Sequence, residues 1–220
     1  MKRTYLFDID GTLLTIKNLA NRRIISGVLQ HFGLTQHNIA GLDFAGRTDR
    51  CIFSSLLGHS GEEQFQLVKE VYLRELGRQL KKKDIHVFDG VMRALTHLES
   101  KKALTGLLTG NFEKAARIKL SQMNLDHYFA FGAFGDDHAD RNDLPHIAFQ
   151  QIAERSGGRF KPSDVVIIGD TPRDIEAAHS FGAISVAVCT GSFGRKQLEA
   201  HKPDVILSSL DEFPEWDRAA

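Results

Sequence analysis

Two carboxylates, Asp8 and Asp10, close an apolar run that begins Tyr5-Leu6-Phe7 and breaks at Gly11. The run reads as a short buried strand ending in a turn. Set two residues apart, the acids can face one crevice, and their mutual repulsion is relieved most simply by a bound cation, Mg2+ being the hard, oxygen-seeking choice. With a metal holding a phosphate, Asp8 is placed to attack phosphorus as a carboxylate nucleophile while Asp10 handles the leaving group's proton. The plainer alternative is a pair of capping or solvated turn acids.

Two more strand ends carry groups of the same kind. Leu104-Thr105-Gly106-Leu107-Leu108 runs into Thr109-Gly110-Asn111 just ahead of a helix, where a hydroxyl and unpaired backbone N–H groups make an anion site. Asn111 also reads as a cap for that helix. Val165-Val166-Ile167-Ile168 runs into Gly169-Asp170-Thr171-Pro172-Arg173-Asp174. Two carboxylates four apart supply further oxygen ligands for Mg2+, although Pro172 and Asp174 also suit a helix's first turn.

Asp8-Ile9-Asp10-Gly11-Thr12-Leu13-Leu14 resembles the first motif of the haloacid dehalogenase superfamily in its phosphatase branch. Thr109 is similar to that family's second motif, and Gly169-Asp170 with Asp174 to its fourth. The resemblance implies that Asp8 forms an aspartyl-phosphate and that Asp10 protonates the leaving alcohol and later activates water. It also implies that Asp170 ligates Mg2+ beside Asp8 and Asp10, with Asp174 holding a metal-bound water. The family's remaining element is a basic residue, usually Lys, between the second and fourth motifs. Lys161 precedes the Val165 strand and lies at its amino end, roughly 20 Å from the other end of a six-residue strand. Arg141 lies in Gly135-Asp136-Asp137-His138-Ala139-Asp140-Arg141-Asn142-Asp143, after a strand and before a helix. Arg141 is therefore chosen; it departs from the usual Lys but can hold phosphate by its planar fork. The loop's acids are explained by solubility and helix capping rather than by a second metal. Thr109, Gly110, Asn111, Arg141 and the backbone near Gly11 are expected to hold the phosphoryl oxygens.

Alternating strands and helices are needed to bring these ends together. From Val91 onward the pattern predicts helix 91–100, strand 104–108, helix 112–123, strand 128–134, helix 144–155, strand 165–168, helix 174–181, strand 184–188, helix 195–200 and strand 204–207. Such a series forms a parallel sheet covered on both faces, with ligands outside the strands' carboxyl ends. Between about Ile16 and Leu80 apolar residues recur only at helical spacing, as in Leu19, Ile24, Ile25, Val28 and Leu29. Gly33 and Gly41 are read as helix stops, Ser60-Gly61-Glu62-Glu63 as a loop, and the basic Lys81-Lys82-Lys83 as a solvated hinge. The expected fold is α/β: a Rossmann-like, doubly wound parallel sheet formed by residues 1–15 and 85–220, with an inserted all-helical cap domain at 16–84. A helical cap just after the first motif is also what the resemblance implies. In that segment, Phe44-Ala45-Gly46-Arg47-Thr48-Asp49-Arg50 resembles the loop that reads substrate in phosphoglycolate-phosphatase-like members. Arg47 is accordingly a candidate for a substrate carboxylate or phosphate, against the reading that Thr48 caps a helix and Arg47 is only exposed.

The chain has 220 residues, 42% of them hydrophobic, with 28 Lys plus Arg against 28 Asp plus Glu. With balanced charge there is no overall attraction for nucleic acid or for a membrane surface, so an anionic substrate has to be held by local groups. Cys51 and Cys189 fit no metal spacing, and no apolar run reaches the length of a membrane span. A cytoplasmic monomer or homodimer is expected. The function these residues and the resemblance point to is Mg2+-dependent hydrolysis of a small phosphorylated metabolite, phosphoglycolate-like or a sugar phosphate. The alternatives are a phosphosugar mutase similar to β-phosphoglucomutase and a non-catalytic binding protein on the same fold.

Overall fold

The computed structural model describes residues 3–34, 47–57, 62–156 and 160–220. Its six-stranded parallel sheet contains β1 (Thr4–Phe7), β4 (Leu104–Leu108), β5 (Gly132–Ala133), β6 (Val165–Gly169), β7 (Ile184–Val188) and β8 (Val205–Leu207). Their order across the sheet is β5-β4-β1-β6-β7-β8. The first strand of the chain is thus central, with Phe7 opposite Leu107 on one side and Ile168 on the other. Strands run outward from β1 through β4 to β5, then cross back to β6. That reversal places a crevice at the carboxyl ends of β1, β4 and β6, where ligands bind in open α/β sheets.

β1 and β6 are buried along their whole length, as continuous apolar runs in parallel sheets require. Strand alternation sends Tyr5 and Phe7 to one face and Leu6 to the other. Phe7 packs edge-on to Phe129 at 6.0 Å and against Phe213 at 6.2 Å. Leu6 joins Leu108, Phe131, Ala148 and Ile167 on the opposite face. Each such fully buried side chain contributes roughly 1.5–3 kcal/mol. The helices that cover the sheet are α4 (Val91–Ser100), α5 (Glu113–Gln122), α6 (Leu144–Ser156), α7 (Pro172–Phe181) and α8 (Arg195–Glu199), close to the expected spans, together with α9 (Phe213–Ala219).

Three features differ from the expectation. Strand β5 is two residues long instead of reaching back to Tyr128, because Asp126–Tyr128 forms a 3-10 turn and pairing with β4 begins only where Leu107 N donates to Phe131 O. The helix α9 had no expected counterpart. Finally, β2 (Leu14–Ile16) and β3 (Ile85–Val87) pair antiparallel and join the two ends of the segment 16–84, with the Lys17 N–H donating to Asp84 O at 2.9 Å. Three-residue strands are too short to leave a periodic signal.

Between β2 and β3 the described elements are all helical: α1 (Asn18–His31), α2 (Asp49–Leu57) and α3 (Glu62–Gln79). Gly33 ends α1 as expected, with φ of +69° and the Leu34 N–H returning to Leu29 O at 2.8 Å. The basic triplet leads into a 3-10 turn, Lys82–Asp84, in which Asp84 is buried. Gly41, Phe44 to Gly46, Ser60 and Gly61 lie outside the described residues.

Candidate active site

β1 delivers Asp8 directly to the crevice, since the Asp8 N–H still donates to Ile168 O at 2.9 Å and so continues the ladder. The chain then turns sharply. The Ile9 carbonyl accepts from the N–H groups of Thr12, Leu13 and Leu14, and Gly11 sits at φ +96°. An alanine at position 11 would be strained, and its Cβ would lie 2.2 Å from Asp170 Oδ2. The same turn brings Thr12 Oγ1 to donate to Asp170 Oδ1 at 3.1 Å.

Asp8, Asp170 and Asp174 are buried, and each offers a carboxylate oxygen within 4.8 Å of the other two. Burial first, and then the neighbouring acids, push the Asp8 and Asp170 carboxyls above their usual range. Arg141 offsets part of this. It follows Asp140, whose Oδ1 accepts from the Asn142 N–H at 2.9 Å, and it is itself only 6% exposed. Its Nη2 lies 3.1 Å from Asp8 Oδ1 and 2.5 Å from Asp174 Oδ1, and also donates to Leu108 O. Of the two roles read for Asp174, the helix cap is seen, its Oδ2 accepting from the Thr171 N–H and hydroxyl at 3.0 and 2.7 Å. Lys161 is exposed at the far edge, just before the turn that enters β6.

Asp10 faces differently. Its side chain is 41% exposed, and Oδ2 accepts from Lys119 Nζ at 2.6 Å and from Asn111 Nδ2 at 2.8 Å. Asn111 does not cap α5. The Glu113 N–H takes Asp136 Oδ2 instead, while the Asn111 amide bridges Thr109 Oγ1 at 2.8 Å to Asp10 and accepts from Lys119 at 2.6 Å. Lys119 was absent from the sequence reading. It lies on the inward face of α5 with Ala115, Ala116 and Leu120, and a lysine on a buried stripe is the signal that could have found it.

The loop 135–143 uses its acids structurally. Asp136 is ion-paired with Lys69, Asp137 Oδ2 accepts from the Phe134 N–H at 2.8 Å, and His138 Nδ1 lies 2.9 Å from Asp143.

The start of α2 meets the strand ends. The Asp49 N–H donates to Gly110 O at 2.7 Å, and Asp49 Oδ2 accepts from the Phe112 N–H at 2.9 Å. Approach is so close that a Cβ on Gly110 would lie 2.5 Å from Arg47 O. Thr48 caps α2, its hydroxyl accepting from the Cys51 N–H at 3.1 Å. Arg47 lines the cavity but directs Nη2 to the Cys51 carbonyl at 3.3 Å and Sγ at 3.1 Å. Behind it, Phe53 and Tyr72 pack on Phe112 with ring centroids 6.3 and 6.2 Å apart. Together these elements enclose a cavity of about 510 Å3, with Asp8, Asp10, Thr109, Lys119, Arg141 and Asp170 on one side and residues of α1, α2 and α3 on the other.

A parallel sheet whose central strand ends in two acids, with a hydroxyl and two further acids at the neighbouring strand ends, is the ground plan of one hydrolase class. Residues 5–188 match the family model described as haloacid dehalogenase-like hydrolase, and the chain belongs to that family. It is 29% identical over 212 residues to a phosphoglycolate phosphatase of Synechococcus elongatus, covering 93% of this chain and 92% of the relative. It is 26% identical over 215 residues to the pyrophosphatase PpaX of Bacillus mycoides, covering 95% and 94%. Among solved structures, a predicted phosphatase from Clostridium acetobutylicum superposes over the whole of both chains with a TM-score of 0.75 at 20% identity.

Proposed function

We propose that this chain is a Mg2+-dependent phosphatase that hydrolyses a small-molecule phosphate monoester through an aspartyl-phosphate on Asp8. The observation that carries the reading is the contrast between two carboxylates in one turn. Asp8 is buried against Arg141 within the acid cluster, and Asp10 is half-open to the cavity and held by Lys119 and Asn111. One is placed to attack and the other to move a proton.

The donor set fits a divalent cation. Three buried oxygen donors converge, and two of them carry raised carboxyls that a positive charge would relieve. When bound, Mg2+ supplies charge neutralisation for the phosphoryl oxygens and the acids around them. Asp8 and Asp170 would ligate it, Asp174 would hold a water of its shell, and Asp10 would contribute from the adjoining turn.

The chain's own groups do the rest. The Asp8 carboxylate attacks phosphorus while Thr109, the Gly110 and Gly11 backbone and the Arg141 guanidinium hold the phosphoryl oxygens. The bond to the ester oxygen breaks, and Asp10 gives that oxygen its proton. Asp10 then takes a proton from water as the water attacks phosphorus, which releases phosphate and restores Asp8. Asn111, expected among the phosphate ligands, is assigned here to hold Asp10. Residues 16–84 act as a cap domain over the core 1–15 and 85–220; the contact of Asp49 with the Gly110–Phe112 backbone holds the start of α2 against the cavity.

The relatives named phosphoglycolate phosphatase and pyrophosphatase support a small phosphorylated substrate. The test is phosphate release from a panel of small esters with Mg2+ or EDTA, for the native protein and Asp8→Asn. Turnover that needs the metal and drops by at least roughly a thousandfold in Asp8→Asn is the expected result. An Asp8→Asn protein that stays active would remove the covalent step.

A further inference from the structure

We infer that Asp49 selects the leaving group and that the substrate is the phosphate of a neutral polyol or sugar, not of a carboxylate or an amino alcohol. The inference rests on the phosphatase reading and specifies the half of the cavity that reading leaves open.

Asp49 comes from the first turn of α2 and lines the cavity. Its Oδ2 is occupied by the Phe112 N–H at 2.9 Å, and among the described residues nothing hydrogen-bonds Oδ1. Burial pushes this carboxyl up to about 6, with Lys119 and the Phe112 N–H pulling it back, so it remains an ionised acceptor at neutral pH. Lys119 acts on Asp49 electrostatically while its Nζ is engaged by Asp10 and Asn111. The leaving-group side therefore holds two carboxylates, one ammonium that already serves one of them, and the Arg47 guanidinium, whose Nη2 is directed at Cys51.

Each kind of leaving group meets this arrangement differently. A second carboxylate, as in phosphoglycolate, would face Asp10 and Asp49 with compensation only from an ammonium and a guanidinium that are both already engaged. An alkylammonium would face two cations, Lys119 and Arg47. A hydroxyl group meets neither objection, because it donates to Asp49 and accepts from donors nearby. The opposite wall offers the same two-way chemistry in Asn18, Asn21 and the hydroxyl of Tyr72, which burial keeps protonated. About 510 Å3 is room for a small polyol phosphate. Arg47, the group expected to read a carboxylate, points its guanidinium at Cys51.

Two measurements separate this inference from the reading beneath it. The first compares kcat/KM for glycerol 3-phosphate, a hexose 6-phosphate, 2-phosphoglycolate and phosphoethanolamine in the native enzyme and in Asp49→Asn. The second measures binding of the same four esters to Asp8→Asn, with and without Asp49→Asn, by calorimetry, which needs no turnover. The hydroxylated esters should lead the two charged ones by at least tenfold in both, and Asp49→Asn should narrow that lead by roughly 10–100-fold. A lead for 2-phosphoglycolate or phosphoethanolamine would overturn the inference, as would an Asp49→Asn effect equal for all four esters, or no binding of either hydroxylated ester. Selective binding without phosphate release from any ester would instead remove the phosphatase reading and leave the selection by Asp49 standing.

Discussion

Lys119 is the residue on which Asp10 depends most directly. Its ammonium and the Asn111 amide together fix one carboxylate oxygen, and the proton that Asp10 moves must travel on what remains. Lys119→Met keeps the buried aliphatic stem and deletes the charge, so packing on α5 should survive. kcat is expected to fall by roughly 10²–10⁴, the range for losing a well-placed acid–base group, with a modest fall in Tm because the buried Asn111 Oδ1 loses its donor. Steady-state kinetics with the preferred ester, set beside a thermal melt, reads both quantities. The sequence made Asp8, Asp170 and Asp174 legible because acids follow two separate apolar strands and together match the family's motifs. It hid Lys119 because a lone lysine in a helix is usually solvated, and only its phase with Ala115, Ala116 and Leu120 gives it away. Asn111 was legible as a polar residue at the right edge but not in its orientation, which Lys119 and Asp10 decide.

Helix α9 is tied to the centre of the molecule by one buried acid. Asp217 accepts from the Tyr5 hydroxyl on β1 and pairs with His97 of α4 at 2.7 Å and with Lys101, just after α4, at 2.5 Å. Burial alone would raise its carboxyl, but these hydrogen bonds outweigh it and hold the group below its ordinary value. A carboxyl lowered in the folded state contributes stability that is present above the unfolded value of about 3.9 and is lost as pH falls through the folded one. Asp217→Asn should therefore lower stability by about 1–3 kcal/mol at pH 7. The gap to the native protein should stay level down to about pH 5 and shrink below about pH 4. Urea unfolding across that pH range measures it. At this scale the long strands and helices could be read from period alone, whereas β2, β3 and α9 could not. The first two are three residues each, and α9 is held by Asp217 and by Phe213 packing on Tyr5 and Phe7 of β1.

The molecule as a whole stores like charge at the crevice, and a cation that binds only the folded state should stabilise it. At a Mg2+ concentration about a hundred times its dissociation constant the gain is about 2.7 kcal/mol, or roughly 5–10 °C in Tm for a chain of this size. Asp170→Asn should abolish the shift; a shift that persists in that variant would place the ion elsewhere. The α/β class and the crevice were legible because alternating elements leave few topologies. The order of strands was not, since periodicity carries no information on which strands become neighbours. That order has a consequence in time. β1 is made first, yet its partner β6 lies about 160 residues further along, as Thr4 pairs with Val165. A chain emerging from the ribosome carries Asp8 well before Asp170 and Asp174 and cannot assemble the acid cluster until they have followed. Until then Asp8 stands without the acids beside it, so the three carboxylates meet only after β6 and the first turn of α7 have been made.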